Sequence, residues 1–127
     1  MWPSATGSSE MPSAKPKPSR GDVWLADLNP TRGHEIHGTR PCLIVSVDNF
    51  NQGPGELVVV LPATTVETGI PFHVRVDPPE GGVVKSTFIK TEQPRCISTT
   101  RLAKPLGRVR PETLRQVEDR LRILLDL

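Results

Sequence analysis

With 127 residues, 35% of them apolar and 24% charged, the chain is one domain's worth with a lean core, and 16 Lys and Arg against 14 Asp and Glu leave it only mildly basic. Fourteen Pro and ten Gly exclude a long helical bundle or coiled coil and favour short strands joined by turns. No apolar run approaches the roughly 20 residues that a membrane helix needs, and the start, Met1-Trp2-Pro3-Ser4, has neither the basic nor the apolar stretch of a secretory signal.

Residues 1–19 hold four Pro, five Ser and one Gly without periodicity, a composition that cannot bury enough surface to offset the entropy of ordering. They read as a flexible tail, and residues 20–127 as the folded domain. Asp22 to Leu28 reads as a strand and Asn29 to Gly33 as a turn, followed by a polar loop from His34 to Thr39. Arg40 precedes a buried apolar strand, Pro41 to Val47. Asp48 to Gly55 is a turn-rich connector, and Leu57 to Leu61 is almost purely β-branched. Ile70 to Val76 alternates, with Phe72, Val74 and Val76 expected on one buried face. A turn over Asp77 to Gly82 separates this strand from two more, Val83 to Lys90 and Arg95 to Ser98. Pro111 suits a first helical turn, and Leu114, Val117, Leu121, Leu124 and Leu125 fall on one face at helical spacing. The fold class is therefore mainly β (α+β), a small, strongly curved barrel capped by a C-terminal amphipathic helix. Cys42 and Cys96 sit in apolar runs; two cysteines are too few for a disulfide framework or a zinc site, and they read as reduced core thiols of a cytoplasmic protein.

Charge is unevenly placed. Residues 20–84 carry four basic and eight acidic side chains, whereas residues 85–110 carry seven basic and one acidic. Lys85, Lys90, Arg95, Arg101, Lys104, Arg108 and Arg110 form either a surface for an anionic polymer or a solvated basic face.

The chain has no glycine-rich phosphate loop and no serine nucleophile flanked by glycines. His34-Glu35-Ile36-His37 offers two imidazoles around a carboxylate, but nothing nearby supplies the third fixed ligand of a metal site. Arg40, at a strand mouth, presents a planar donor fork either to an anion or to Glu35 as an ion pair. Thr64 and Thr65 follow an apolar run at another strand end, where hydroxyls cap turns or donate to phosphate oxygens.

Five motifs in order, Gly21-Asp22-Val23-Trp24, Asn29 through Glu35, Gly38-Thr39-Arg40-Pro41, Pro62-Ala63-Thr64-Thr65 and Ile70-Pro71-Phe72, resemble the MazF/PemK toxins of bacterial toxin–antitoxin systems over residues 20–127. The resemblance implies an SH3-like β-barrel of the CcdB/MazF kind with a C-terminal helix, usually a homodimer. It implies sequence-specific cleavage of single-stranded RNA without metal or other cofactor, leaving a 2′,3′-cyclic phosphate and a 5′-hydroxyl, and inhibition by a cognate MazE-like antitoxin. The family's catalytic Arg, Thr and loop carboxylate map onto Arg40, Thr64 and Glu35. Histidines are a departure from the family at these loop positions, and His34 or His37 is an alternative proton acceptor to Glu35. RNA contacts are implied at Asn29, Thr31, Arg32, Thr65, Lys85, Ser86, Glu92 and Gln93. The rival readings are a gyrase poison of the CcdB type, whose C-terminal Trp-Gly-Ile is replaced here by Leu124-Leu125-Asp126-Leu127, and a non-catalytic SH3-like RNA-binding module.

Overall fold

The structure, a computed structural model, describes residues 17–127; residues 1–16, most of the expected tail, lie outside the described part. In chain order come β1 (Asp22–Asp27), β2 (Thr39–Ile44), the short α1 (Asp48–Asn51), β3 (Leu57–Thr64), β4 (His73–Val76), a 3-10 turn (Glu80–Gly82), β5 (Thr87–Lys90), β6 (Arg95–Ser98), a second 3-10 turn (Thr99–Arg101), β7 (Leu102–Arg108) and α2 (Pro111–Leu125). The strands form one bent antiparallel sheet in the order β4-β5-β3-β2-β1-β7, with β6 paired to β3 beside β5. Central β3 carries Val58, Val60 and Leu61 at no exposure, each an apolar burial worth about 1.5–3 kcal/mol.

The mainly-β class with a C-terminal helix holds, but the barrel is not closed, because β4 and β7 end the sheet without pairing. The β4–β5 connection lies across that gap. A Cβ added at Gly82, whose φ is +74°, would sit 2.0 Å from the Leu106 carbonyl oxygen on β7, so only glycine allows this approach.

Strand alternation divides the sheet's apolar residues between two clusters. One joins Leu43, Leu61, Ala63, Val74, Val76 and Ile89 to Val117 of α2. The other, on the opposite face, joins Trp24, Cys42, Ile44, Val58, Val60 and Ile97 to Leu28 and Ile36 of the β1–β2 loop. α2 is held by Val117, fully buried, and by Arg20, which donates to both Val45 O and Glu118. Its N-terminus is capped from outside: Glu80 accepts from Arg110 N at 2.9 Å and from the Thr113 hydroxyl, and a carboxylate there also suits the helix dipole.

Several local expectations change. β7 has no counterpart among the sequence-derived strands, because Pro105, Gly107 and the basic Lys104 and Arg108 obscure it; an edge strand paired only to β1 tolerates proline. Cys96 is exposed rather than in the core, whereas Cys42 is buried. Phe72 is only half-buried beside the buried Val74 and Val76, and Leu125 at the end of α2 is 54% exposed.

Candidate active site

Antiparallel register brings the strand ends that carry Arg40 and Thr64 to the same edge of the sheet. The β2–β3 ladder ends at the Cys42–Pro62 pair; Arg40 and Thr64 each lie two residues beyond it, at the same end of adjacent strands and on the side-chain face that Cys42 and Pro62 share. The row continues across the sheet, since Thr64 pairs with Phe88 of β5, and Phe88 with Arg75 of β4. The Arg75 guanidinium lies 5.9 Å from the centre of the Phe88 ring.

Arg40 is exposed, and its Nε donates to His37 O at 2.9 Å. It has no carboxylate partner among the described residues, so the ion pair with Glu35 is not formed. Glu35 Oε1 instead accepts from Arg32 N at 2.8 Å, while Glu35 N donates to Arg32 O, closing a tight turn at the loop tip. His34 and His37 are exposed beside it. Arg40 therefore keeps its terminal donors turned to solvent, as an anion site requires. Thr64 is half-buried, and its hydroxyl oxygen accepts from Val66 N at 3.2 Å, leaving its own hydrogen to donate; Thr65 is exposed.

The loop that presents these groups is tied at its neck. Leu28 N donates to Gly38 O at 3.0 Å, and Gly38 N to the Asn29 side chain at 3.1 Å. Gln93 Oε1 accepts from Ile36 N at 3.1 Å, which leaves its NH2 group for a ligand. Asn29 and Gln93, both expected at RNA, thus also organise the loop. Thr31 is half-buried and Arg32 exposed beside them.

The remaining expected contacts separate. Ser86 lies on the outer face with Arg75 and Asp77: its hydroxyl donates to Asp77 at 2.6 Å, and Arg75 Nε donates to the same carboxylate at 2.9 Å. The Ser86 hydrogen bond and then that of Arg75 hold the Asp77 carboxyl below its ordinary range. Glu92 Oε2 lies 3.0 Å from Nε2 of His73, whose side chain is 3% exposed, and Glu92 Oε1 is buried without a hydrogen-bond partner. Lys85 is exposed, on the loop before β5. The alternation that buries Val74 and Val76 puts His73 and Arg75 on the opposite face, where Arg75 meets Asp77 and Ser86.

The basic stretch does not form one surface. Arg75, Arg108 and Arg110 line a cleft of about 550 Å³, and each has a carboxylate, Asp77, Asp22 and Glu80 respectively. Arg95 and Arg101 turn inward to the β1–β2 loop, Arg95 to the carbonyls of Leu28 and Ile36 and Arg101 to those of Asp27 and Asn29. An exposed arginine with no ion-pair partner among the described residues, at the strand end next to that of Thr64, thus marks the Arg40 end.

The bent antiparallel sheet, the C-terminal helix and the exposed Arg40 at one strand mouth define a small β domain capped by a helix. Residues 19–125 match the family of PemK-like, MazF-like toxins of type II toxin–antitoxin systems, and the chain belongs to it. It is 35% identical over 113 residues to Endoribonuclease MazF9 of Mycobacterium tuberculosis, covering 85% of this chain and 96% of the relative. The crystal structure of MazF from Deinococcus radiodurans is similar with a TM-score of 0.79 at 27% identity, covering 89% of this chain and all of that one. A mycobacterial endoribonuclease solved in complex with its cognate antitoxin is similar with a TM-score of 0.73 at 27% identity, covering 87% and 96%. By class the chain is an endoribonuclease of this toxin family.

Proposed function

We propose that the chain cuts single-stranded RNA at a short preferred sequence, using the RNA's own 2′-hydroxyl and no metal. The 2′-oxygen forms a bond to the adjacent phosphorus as the bond to the 5′-oxygen breaks, leaving a 2′,3′-cyclic phosphate and a 5′-hydroxyl. The reaction needs an acceptor for the 2′ proton, a donor to the departing 5′-oxygen and donors on the phosphorane. The observation that supports this reading is that Arg40, without a countercharge among the described residues, and Thr64 each lie two residues beyond the Cys42–Pro62 pair at the same end of adjacent strands.

In this assignment Arg40, always protonated, stabilises the phosphorane by its charge and hydrogen-bonds the departing 5′-oxygen, which takes its proton from solvent. Thr64 donates to a non-bridging oxygen through its free hydroxyl hydrogen. Glu35, with one carboxylate oxygen holding Arg32 N and the other uncommitted, accepts the 2′ proton. His34 and His37 stand near enough in sequence to compete for that role. Thr31, Arg32, Thr65, Lys85, Ser86, Glu92 and the NH2 group of Gln93 contact unstacked bases and phosphates, as single-strand recognition requires.

The chain acts in the cytoplasm as a homodimer and is silenced by a MazE-like antitoxin with an extended acidic and apolar segment; the mycobacterial endoribonuclease solved with its cognate antitoxin supports the antitoxin partner. Among the described residues no helix is long and apolar enough to cross a membrane. Incubation of the purified protein with mixed RNA in EDTA tests the assignment. Site-resolved cleavage with 5′-hydroxyl ends supports it; intact RNA with blocked gyrase supports the CcdB-type rival, and bound but uncut RNA the non-catalytic module.

A further inference from the structure

The β1–β2 loop carries Glu35, His34 and His37 and leads into Arg40, so whatever fixes the loop fixes the site. Two observations say how it is fixed. Leu28 and Ile36, near its two ends, are buried in the cluster that contains Cys42, Trp24 and Ile97. Over them, Arg95 at the start of β6 reaches both ends at once: Nη2 donates to Leu28 O at 3.3 Å and Nη1 to Ile36 O at 3.5 Å. Gln93 takes the Ile36 N–H, and Arg101 holds Asp27 O and Asn29 O beside them. Neither arginine has an ion-pair partner among the described residues. Their donors go to main-chain carbonyls of one loop, and only a planar fork such as guanidinium can span two such acceptors.

We propose that Arg95 is a positioning residue for the cleavage reaction: it clamps the two ends of the β1–β2 loop and thereby sets Glu35 and Arg40 against the RNA, without itself touching substrate. The inference rests on the assigned cleavage activity only for its kinetic arm. A bridge of this kind tolerates neither loss of the fork nor its replacement by a point donor, since a lysine ammonium keeps the charge but has no rigid span between the two carbonyls. A phosphate-contacting arginine behaves in the opposite way, because its charge is what counts and its removal reduces the salt dependence of binding.

Two measurements separate these cases. In the first, Arg95→Ala and Arg95→Lys are compared with wild type in single-turnover cleavage of a short RNA. Binding is measured in parallel with the same RNA carrying 2′-deoxyribose at the scissile position, from 50 to 200 mM salt. The clamp predicts a 10- to 100-fold fall in the cleavage rate for both variants with the salt slope of binding unchanged, and any loss of affinity through Thr31 and Arg32 on the loosened loop equal in the Ala and Lys variants. Weaker binding with a shallower salt slope in Arg95→Ala, restored by Arg95→Lys, overturns it in favour of a phosphate contact.

The second measurement needs no RNA and survives failure of the cleavage assignment. Cys42 lies in the cluster capped by Leu28 and Ile36, and burial pushes its thiol up to about 12, with Arg95 opposing. In a Cys96→Ser background, Cys42 labelling by a small disulfide reagent reports loop opening. Arg95→Ala should label at least 10-fold faster than Val117→Ala, a control that loosens the other cluster, once both are compared at matched global stability. Removing Arg95 also removes the charge that favours the Cys42 thiolate, so electrostatics alone would slow labelling. Faster labelling therefore reads loop opening. Labelling no faster than the control overturns the clamp, whatever the kinetics.

Discussion

Arg40 is the residue whose replacement tests the site most directly. It is exposed, its side chain is bonded only to His37 O among the described residues, and it faces no carboxylate. Arg40→Ala therefore leaves no buried group unpaired, and its effect on stability should stay within about 0.5 kcal/mol. The effect on chemistry is larger. A unit charge about 4 Å from a developing phosphorane charge, at an effective dielectric of about 20, contributes ~4 kcal/mol. Loss of a single preorganised donor in comparable sites costs roughly 2.7–4 kcal/mol, or 10²–10³ in rate. Arg40→Lys separates charge from geometry: it keeps most of the Coulomb contribution but loses the fork and the Nε bond that aims it. A charge-assisted hydrogen bond is worth about 1.5–3 kcal/mol, so the Lys variant should fall about 10- to 100-fold and lie between wild type and Ala. The assay is single-turnover cleavage of a short RNA in EDTA, with thermal unfolding alongside. An Ala variant within tenfold of wild type, or a Lys variant as slow as Ala, refutes the reasoning about this arginine.

Thr64→Ala should lose 10²–10³ in the same assay, whereas Thr65→Ala, one residue beyond the Arg40 register, should mainly weaken binding; a reversed order places the donor on the wrong hydroxyl. Glu35→Gln should lower the rate on the order of 10²–10⁴, with His34→Ala and His37→Ala costing little. A rate profile from pH 5 to 9 whose inflection near ~6.5, the ordinary imidazole value, vanishes in one His variant would transfer the proton-acceptor role to that histidine. At Glu80 burial favours the neutral acid, but hydrogen bonds from Thr113 and Arg110 outweigh it and hold the carboxyl below its ordinary range. A depressed folded value means that the stabilisation is complete above the unfolded value of about 4.3 and is lost as pH falls through the folded one. Glu80→Gln should therefore lower the urea midpoint at pH 7 and flatten its fall below pH ~4.3; an unchanged acid limb would show that Glu80 does not cap α2.

Features that depend on local pattern and on short, ordered motifs were legible in the chain before any fold was known. The β-branched run of β3, the alternation of Val74 and Val76 and the amphipathic spacing around Val117 give strands and helix where the structure has them, because burial on one face needs only the right period. The expectation at Arg40 and Thr64 rested instead on ordered motifs that resemble a family, with both residues placed at the ends of patterned strands. Non-local pairings were not legible, since they arise only when distant segments meet. Strand β7 exists because β1 offers it an edge, not because Leu102 to Arg108 favours extended backbone. The cysteines differ because Cys42 faces Leu28 and Ile36 while Cys96 stands on the open side of β6. The basic run from Lys85 to Arg110 looks uniform in one dimension, yet Arg108 and Arg110 meet carboxylates and Arg95 and Arg101 meet carbonyls of a distant loop, whereas Arg40 meets no carboxylate. Charge along a chain sets which residues can bind an anion; the partners brought by folding decide which of them remain free to do so.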